Sequence, residues 1–314
     1  MKKSTFFLLI LGFSACLKPS AEIIKLNTDK DLIPEGIAIG AEQIFISSIH
    51  KNKIVQYNPK TQETTDFITS NQYGFKSGVG LFLKDNLLFA LTNDLHPDSL
   101  TSALFVFDIP TKKLLKTFEL HDNSKHFLND LAISNTHKIF ITDTRQGKIY
   151  TLNYPNGNFE TYLSDSTISY PNGIALSENG KKLFVASDNK GLKIIDTEMK
   201  KIVNEPSDET KGLDGIKFYK GKIYAIRNTD KGIAEHKILS ISLTENEAEI
   251  TKTETIVKAH PQMNVPTTLG ISDGFIYCIA NSQMDNLQQN TNKIIEPNAL
   301  TDTYILKLKI RDKY

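Results

Sequence analysis

Two carboxylates and two carboxamides recur in matching surroundings along this chain. Glu35 lies in Pro34-Glu35-Gly36-Ile37-Ala38-Ile39 and Asn129 in Leu128-Asn129-Asp130-Leu131-Ala132-Ile133. Asn172 lies in Pro171-Asn172-Gly173-Ile174-Ala175-Leu176 and Asp214 in Leu213-Asp214-Gly215-Ile216-Lys217-Phe218. Each sets an oxygen-bearing side chain before a Gly or Asp and the apolar start of a strand. Brought to one point, two carboxylates and two amide carbonyls form a hard-oxygen set of the kind Ca²⁺ prefers. Such an ion polarises a carbonyl or phosphoryl oxygen and keeps Asp214 ionised, available as general base or nucleophile. Glu35 would balance charge, and Asn129 and Asn172 would add neutral oxygens.

Convergence requires elements that repeat. The last three segments lie about 43 residues apart and the first precedes them by about twice that, a period of forty-odd residues with one unit skipped. Around each, strand signals recur: Gln43–Ser48 and Lys53–Asn58, Lys138–Asp143 and Gly147–Leu152, Lys182–Ser187 and Gly191–Asp196. Runs of five or six β-prone residues, bounded by Asn, Gly, Pro and Asp, suit four-stranded blades. Two further units open at Ser77-Gly78-Val79-Gly80 and at Pro266-Thr267-Thr268-Leu269 without an evident ligand. The reading is an all-β, six-bladed β-propeller. The last blade has three strands of its own, so Glu22–Asn27 is expected to complete it and close the ring. Thr268, at the start of the sixth unit, is placed on the floor of the site as a substrate contact. The insertions at 96–103, 228–236 and 282–301 would shape the face above it.

The ends and composition set the cellular context. Lys2, Lys3 and the apolar run Phe6–Leu11 form a signal peptide, too short to span a membrane. Gly12-Phe13-Ser14-Ala15-Cys16 resembles the lipobox of bacterial lipoproteins, which implies cleavage before Cys16 and a lipid on its sulfur. The domains are therefore a leader at 1–15, a tether at 16–21 and one propeller at 22–314. Localisation is expected on the periplasmic or cell-surface side, with the lipid as sole membrane contact. The chain has only two cysteines, so lipidated Cys16 leaves Cys278 unpaired in an apolar strand, as a small buried hydrophobe. With 37 basic and 36 acidic residues and no basic stripe, nucleic acid is excluded as a partner. A monomer acting on a small molecule is the expectation.

At these residues the chain resembles the gluconolactonase and senescence-marker-protein family, related to diisopropylfluorophosphatase and the paraoxonases. The resemblance runs across nearly the whole mature chain. It implies a catalytic Ca²⁺ on the axis, with Glu35, Asn129, Asn172 and Asp214 matching the family's Glu-Gly, Asn-Asp, Pro-Asn-Gly and Asp-Gly positions. It implies a hydrolase of the lactonase or arylesterase type, acting on a small ester, lactone or phosphoester. Phe127 stands where some sugar lactonases carry an Arg, which argues against a sugar-acid lactone. Paraoxonases hold a second ion with Asp after both the Glu and the first Asn; here Asp130 is present but Gly36 replaces its counterpart. His121 and His126 are read as solvated loop residues, and His50, His96, His137, His236 and His260 as turn or loop residues without a role. The alternative function is a non-catalytic, lipid-anchored binding propeller with a structural axial cation.

Overall fold

The computed structural model describes residues 21–228, 233–288 and 291–311. The leader and Cys16 lie outside the described residues. Among those described, no helix is long and apolar enough to cross a membrane.

Alternating apolar residues and tight polar turns produce six four-stranded antiparallel sheets, joined in chain order from an inner to an outer strand. Blade one runs Pro34–Ile39, Ile44–Ser48, Ile54–Asn58 and Glu63–Ile68, and blade two Ser77–Lys84, Leu87–Asn93, Ser102–Asp108 and Leu114–Glu119. Blade three is Leu128–Ile133, Lys138–Asp143, Lys148–Asn153 and Glu160–Ser164, and blade four Pro171–Leu176, Lys182–Ser187, Gly191–Asp196 and Lys201–Ile202. Blade five is Leu213–Tyr219, Lys222–Arg227, Lys237–Leu243 and Ile250–Lys258. Blade six takes Leu269–Ser272, Phe275–Ile279 and Tyr304–Lys309, and its outer strand is Glu22–Lys25. That strand pairs antiparallel with the last, Glu22 opposite Lys307 and Lys25 opposite Tyr304. The six-bladed propeller and its N-terminal closure are as expected.

Sheets buried on both faces must bury side chains of both parities, and they do so against one another. The core divides into six apolar clusters, one between each pair of neighbouring blades. The closing strand contributes Ile24 to the cluster that joins blade six to blade one. Cys278 is fully buried, and burial pushes its thiol above the ordinary range.

The insertion at 282–301 folds back over the ring as a small hairpin, Leu287–Gln288 with Lys293–Ile294. Its Leu287, with Leu300, is buried in the cluster that holds Val79 and Leu128, so it covers the blade two and three side of the axis. Asn292 ties it to blade one, donating from Nδ2 to the His50 carbonyl at 3.0 Å.

One irregularity is shared by five inner strands. In blades one to five two consecutive residues face a single partner: Glu35-Gly36, Val79-Gly80, Asn129-Asp130, Asn172-Gly173 and Asp214-Gly215. A β-bulge re-aims the side chain it carries, here towards the axis. Its second residue touches the next blade. A Cβ on Gly36 would lie 2.0 Å from the Val79 carbonyl oxygen, and one on Gly173 2.5 Å from that of Asp214. In this backbone that contact leaves no room for a side chain at Gly36.

Candidate metal centre

The bulges create two layers around the axis. The first carries Glu35, Val79, Asn129, Asn172 and Asp214; the second carries Gly36, Gly80, Asp130, Gly173 and Gly215. Glu35, Asn129, Asn172, Asp214 and Thr268 all line one axial slot, together with Asp130, Gly36, Gly80 and Gly215. The slot has room for about one water-sized sphere. Thr268 belongs to the second layer, since a Cβ on Gly215 would meet its Oγ1 at 2.4 Å. Thr267, one residue earlier, takes the first-layer place in blade six: its hydroxyl reaches the Glu35 carbonyl oxygen at 3.4 Å, and its own carbonyl accepts the Gly215 N–H at 2.8 Å. Blade two gives the first layer its apolar member, Val79, which belongs to the same cluster as Leu287 and Leu300. The chain turns sharply into these strands. Ile33, Tyr170 and Val265, each two residues ahead of a first-layer position, hold left-handed φ values of 46°, 47° and 52°, the local strain that collects at functional sites.

Short polar side chains at the ends of the second strands hold the first layer across blade boundaries. Thr144 accepts from Asn129 Nδ2 at 3.0 Å and donates to the Pro171 carbonyl at 2.7 Å. Thr142 donates to the Asn172 carbonyl at 2.6 Å. Ser47 accepts the Gly36 N–H at 2.9 Å and donates to the Val79 carbonyl at 2.6 Å. Asn228 donates to Asp214 Oδ2 and to the Pro266 carbonyl. Committing the Asn129 NH₂ edge to Thr144 leaves its carbonyl oxygen as the atom free for a cation. Thr144→Val should therefore weaken divalent-ion affinity about tenfold or more with little loss of fold, the usual scale for residues that orient a metal ligand; calorimetric titration of the variant checks this.

Electrostatics at the slot are those of a cage short of positive charge. Asn129 and Asp214 are each 8% exposed. Burial pushes the Asp214 carboxyl up to about 7; hydrogen bonds from Asn228 and Asn172 oppose the rise, and the charges of Asp130 and Asp188 add to it. Burial, and then the charge of Asp214, hold Glu35 well above the usual carboxylate range. Glu35 Oε2 is shut away from solvent with no hydrogen-bond partner in the protein. A buried acceptor without a partner costs about 1–3 kcal/mol, more for a charged one. A hard dication fits this donor set: it supplies a partner to Glu35 Oε2, favours both carboxylates ionised and takes neutral oxygens from the two amides. Among the described residues no group of three or more His, Cys, Asp or Glu is placed to hold a metal ion; the slot's donor set is two carboxylates with two amides.

The histidines depart from the sequence reading. His121 is exposed, but His126 is buried, with Nδ1 2.6 Å from Asp143 Oδ2 and Nε2 2.7 Å from Asp122 Oδ1. Asp143 also accepts the N–H groups of Phe127, Arg145 and Gln146, so His126 locks the turn before Asn129 onto the turn that bears Thr144. Two flanking carboxylates repay its burial. His236 is buried as well, its Nε2 accepting the Val265 N–H at 3.4 Å. Sequence reasoning also missed Thr142, Thr144, Ser47 and Asn228. A readable signal existed, a polar residue closing the apolar second strand in Ile46-Ser47-Ser48, Leu91-Thr92-Asn93, Ile141-Thr142-Asp143 and Ile226-Arg227-Asn228.

No family model and no curated protein sequence matches the chain. Solved structures match it over nearly its whole length. The major allergen Mala s 1 of Malassezia sympodialis superposes with a TM-score of 0.67 at 14% identity, over 93% of this chain and 98% of that one. A gluconolactonase from Xanthomonas campestris gives 0.63 at 11% identity, over 92% and 90%. A calcium-binding protein, regucalcin, from Agrobacterium tumefaciens gives 0.62 at 15% identity, over 93% and 96%. At these identities the likeness establishes the propeller fold.

Proposed function

We propose that the chain is a divalent-cation-dependent hydrolase, with Ca²⁺ the preferred ion, acting on a small ester, lactone or phosphoester at the propeller axis. One observation carries the reading: two carboxylates, Asp214 buried and Glu35 half-buried, and two oriented amides line a slot of single-ion size, and the Oε2 atom of Glu35, shut away from solvent, has no partner. The gluconolactonase and the calcium-binding regucalcin among the fold's relatives support it. When bound, the ion would polarise the substrate oxygen and stabilise the charge that develops on it. Asp214 is the proton acceptor, its Oδ2 fixed by Asn228. Glu35 balances charge, Asn129 and Asn172 contribute neutral oxygens, and Thr268 lies on the floor of the slot. The export reading puts this activity outside the cytoplasm, held to the membrane by a lipid on Cys16.

A second reading, a binding propeller with a structural cation, draws on how deeply Asn129 and Asp214 are buried and on the general use of one fold for many functions. A panel of lactones, aryl esters and phosphotriesters, run with Ca²⁺ and with chelator, separates them. Hydrolysis that disappears with chelator and returns with Ca²⁺ is the expected result. Ion binding without turnover of any substrate class favours the second reading.

A further inference from the structure

The second layer carries one charge. In blades one, two, four and five it is glycine and in blade six Thr268, while blade three supplies Asp130. Asp130 is 5% exposed and lines the same slot as Glu35 and Asp214. Left ionised and unpaired, it would be a third carboxylate in one small cage. It is paired instead with Lys217, whose Nζ reaches across from the inner strand of blade five to Asp130 Oδ2 at 3.0 Å. The Ile174 N–H adds a contact to that oxygen at 3.3 Å, and the Leu131 N–H donates to Oδ1 at 2.9 Å. Lys217 also lines a groove at the other end of the inner strands, between the turns at Ser134–Thr136 and Ser177–Gly180 and beside Phe82 and Phe218. Its stem thus stands between that groove and the slot, and its ammonium ends beneath the slot.

We infer that Lys217 is a built-in axial cation: it takes Asp130 out of the ligand set, and so limits the axis to one divalent ion held by two carboxylates. The inference rests on the metal-centre reading above. Charge accounting supports it. Three carboxylates and one ammonium leave a net of two negative charges, which one dication neutralises. Lys217 acts as a positioning residue, with no contact to the substrate. Its charge lies 3.0 Å from a carboxylate that lines the slot, so removing one partner of the pair or the other should change affinity in opposite directions. Without Lys217, a repelling charge is gone and Asp130 is freed towards the ion. Without the Asp130 carboxylate, the ammonium is left uncompensated beneath the ion.

Calorimetric titration of the folded chain with Ca²⁺ alone tests this through affinity, with no substrate present. Wild type should take up one ion. Lys217→Met should bind it at least tenfold more tightly, Asp130→Asn at least tenfold more weakly, and the double variant within about threefold of wild type, the non-additivity expected of a contacting pair. Weakening by both single variants would make the pair a structural tie and overturn the inference, as would an unchanged affinity in Lys217→Met. If Lys217→Met does not fold in chelator, Asp130→Asn and the double variant still decide the sign. No uptake by wild type overturns the metal-centre reading along with this one. One-ion uptake with an unresponsive Lys217→Met overturns this one alone.

Discussion

Asp214→Asn should cost at least about a thousandfold in the rate of Ca²⁺-dependent hydrolysis, within the range for loss of a positioned general base. The substitution is nearly isosteric, so the ring should stay closed. Its chemistry changes in two ways. An amide cannot accept the proton that a carboxylate held ionised beside the ion can take. It also brings an NH₂ group into a site whose neighbour Asn228 already donates to Oδ2. Either the new oxygen turns to Asn228 and the NH₂ points into the slot, or that hydrogen bond is lost. Ion affinity should fall as well, so turnover must be measured at saturating Ca²⁺. In chelator the variant should melt at a higher temperature than wild type, because a buried charge short of compensation has been removed. Retention of turnover within tenfold would show that Asp214 accepts no proton in the reaction.

The second large effect is a change of sign. In chelator, stability should fall as pH rises from about 4 to about 7. In the ion-free fold the Asp214 carboxyl keeps its proton to about 7, whereas in the unfolded chain it is lost near 4. Between those values the native state binds more protons than the unfolded one, and stability therefore declines with pH. A shift of about three units corresponds to roughly 4 kcal/mol for this one group, and Glu35 moves in the same direction. Saturating Ca²⁺ should reverse the slope over the same window, because protons then compete with an ion that binds only the folded state. Thermal melts at half-unit pH steps, with and without Ca²⁺, measure both curves. Hydrogen-bonded surface carboxylates such as Asp108, Asp165 and Asp196, held below their usual range, contribute equally to the two curves and cancel in the difference. Glu35→Gln should flatten the chelator curve. Parallel curves would mean that no cation engages the axial carboxylates.

The axial side chains were readable because each sits in a short local pattern. Glu35, Asn172 and Asp214 all precede a glycine, and a glycine inside a strand pattern marks a bulge or a close approach. Asn129, followed by Asp130 in place of glycine, kept its place through the apolar strand start after it and through spacing. Thr267 and Thr268 show the limit of the method: with no glycine beside them, the first-layer and second-layer positions cannot be told apart by one residue. The supports were harder to read because their partners come from another blade. Thr144 holds Pro171, 27 residues away, and Asn228 holds Pro266, 38 away. Lys217 and Asp130 meet over 87 residues. His126 looked like a loop residue because nothing local announces that Asp143 will bury beside it. The insertion at 282–301 was legible, but the burial of its Leu287 and Leu300 in the blade two and three cluster depends on the closed ring.

That closure also sets an order of events. Lys307 meets Glu22 across 285 residues of chain, among the longest separations this sequence allows, and contacts of this kind form late because their loop entropy is lost before they return anything. Until Tyr304–Lys309 has been delivered, Glu22–Lys25 has no strand to join. A chain still emerging from a ribosome or a translocation pore therefore exposes an unpaired edge on blade one's side and another on its growing end, both able to recruit strands from elsewhere. Its vulnerable period lasts until Tyr304–Lys309 has been made and delivered.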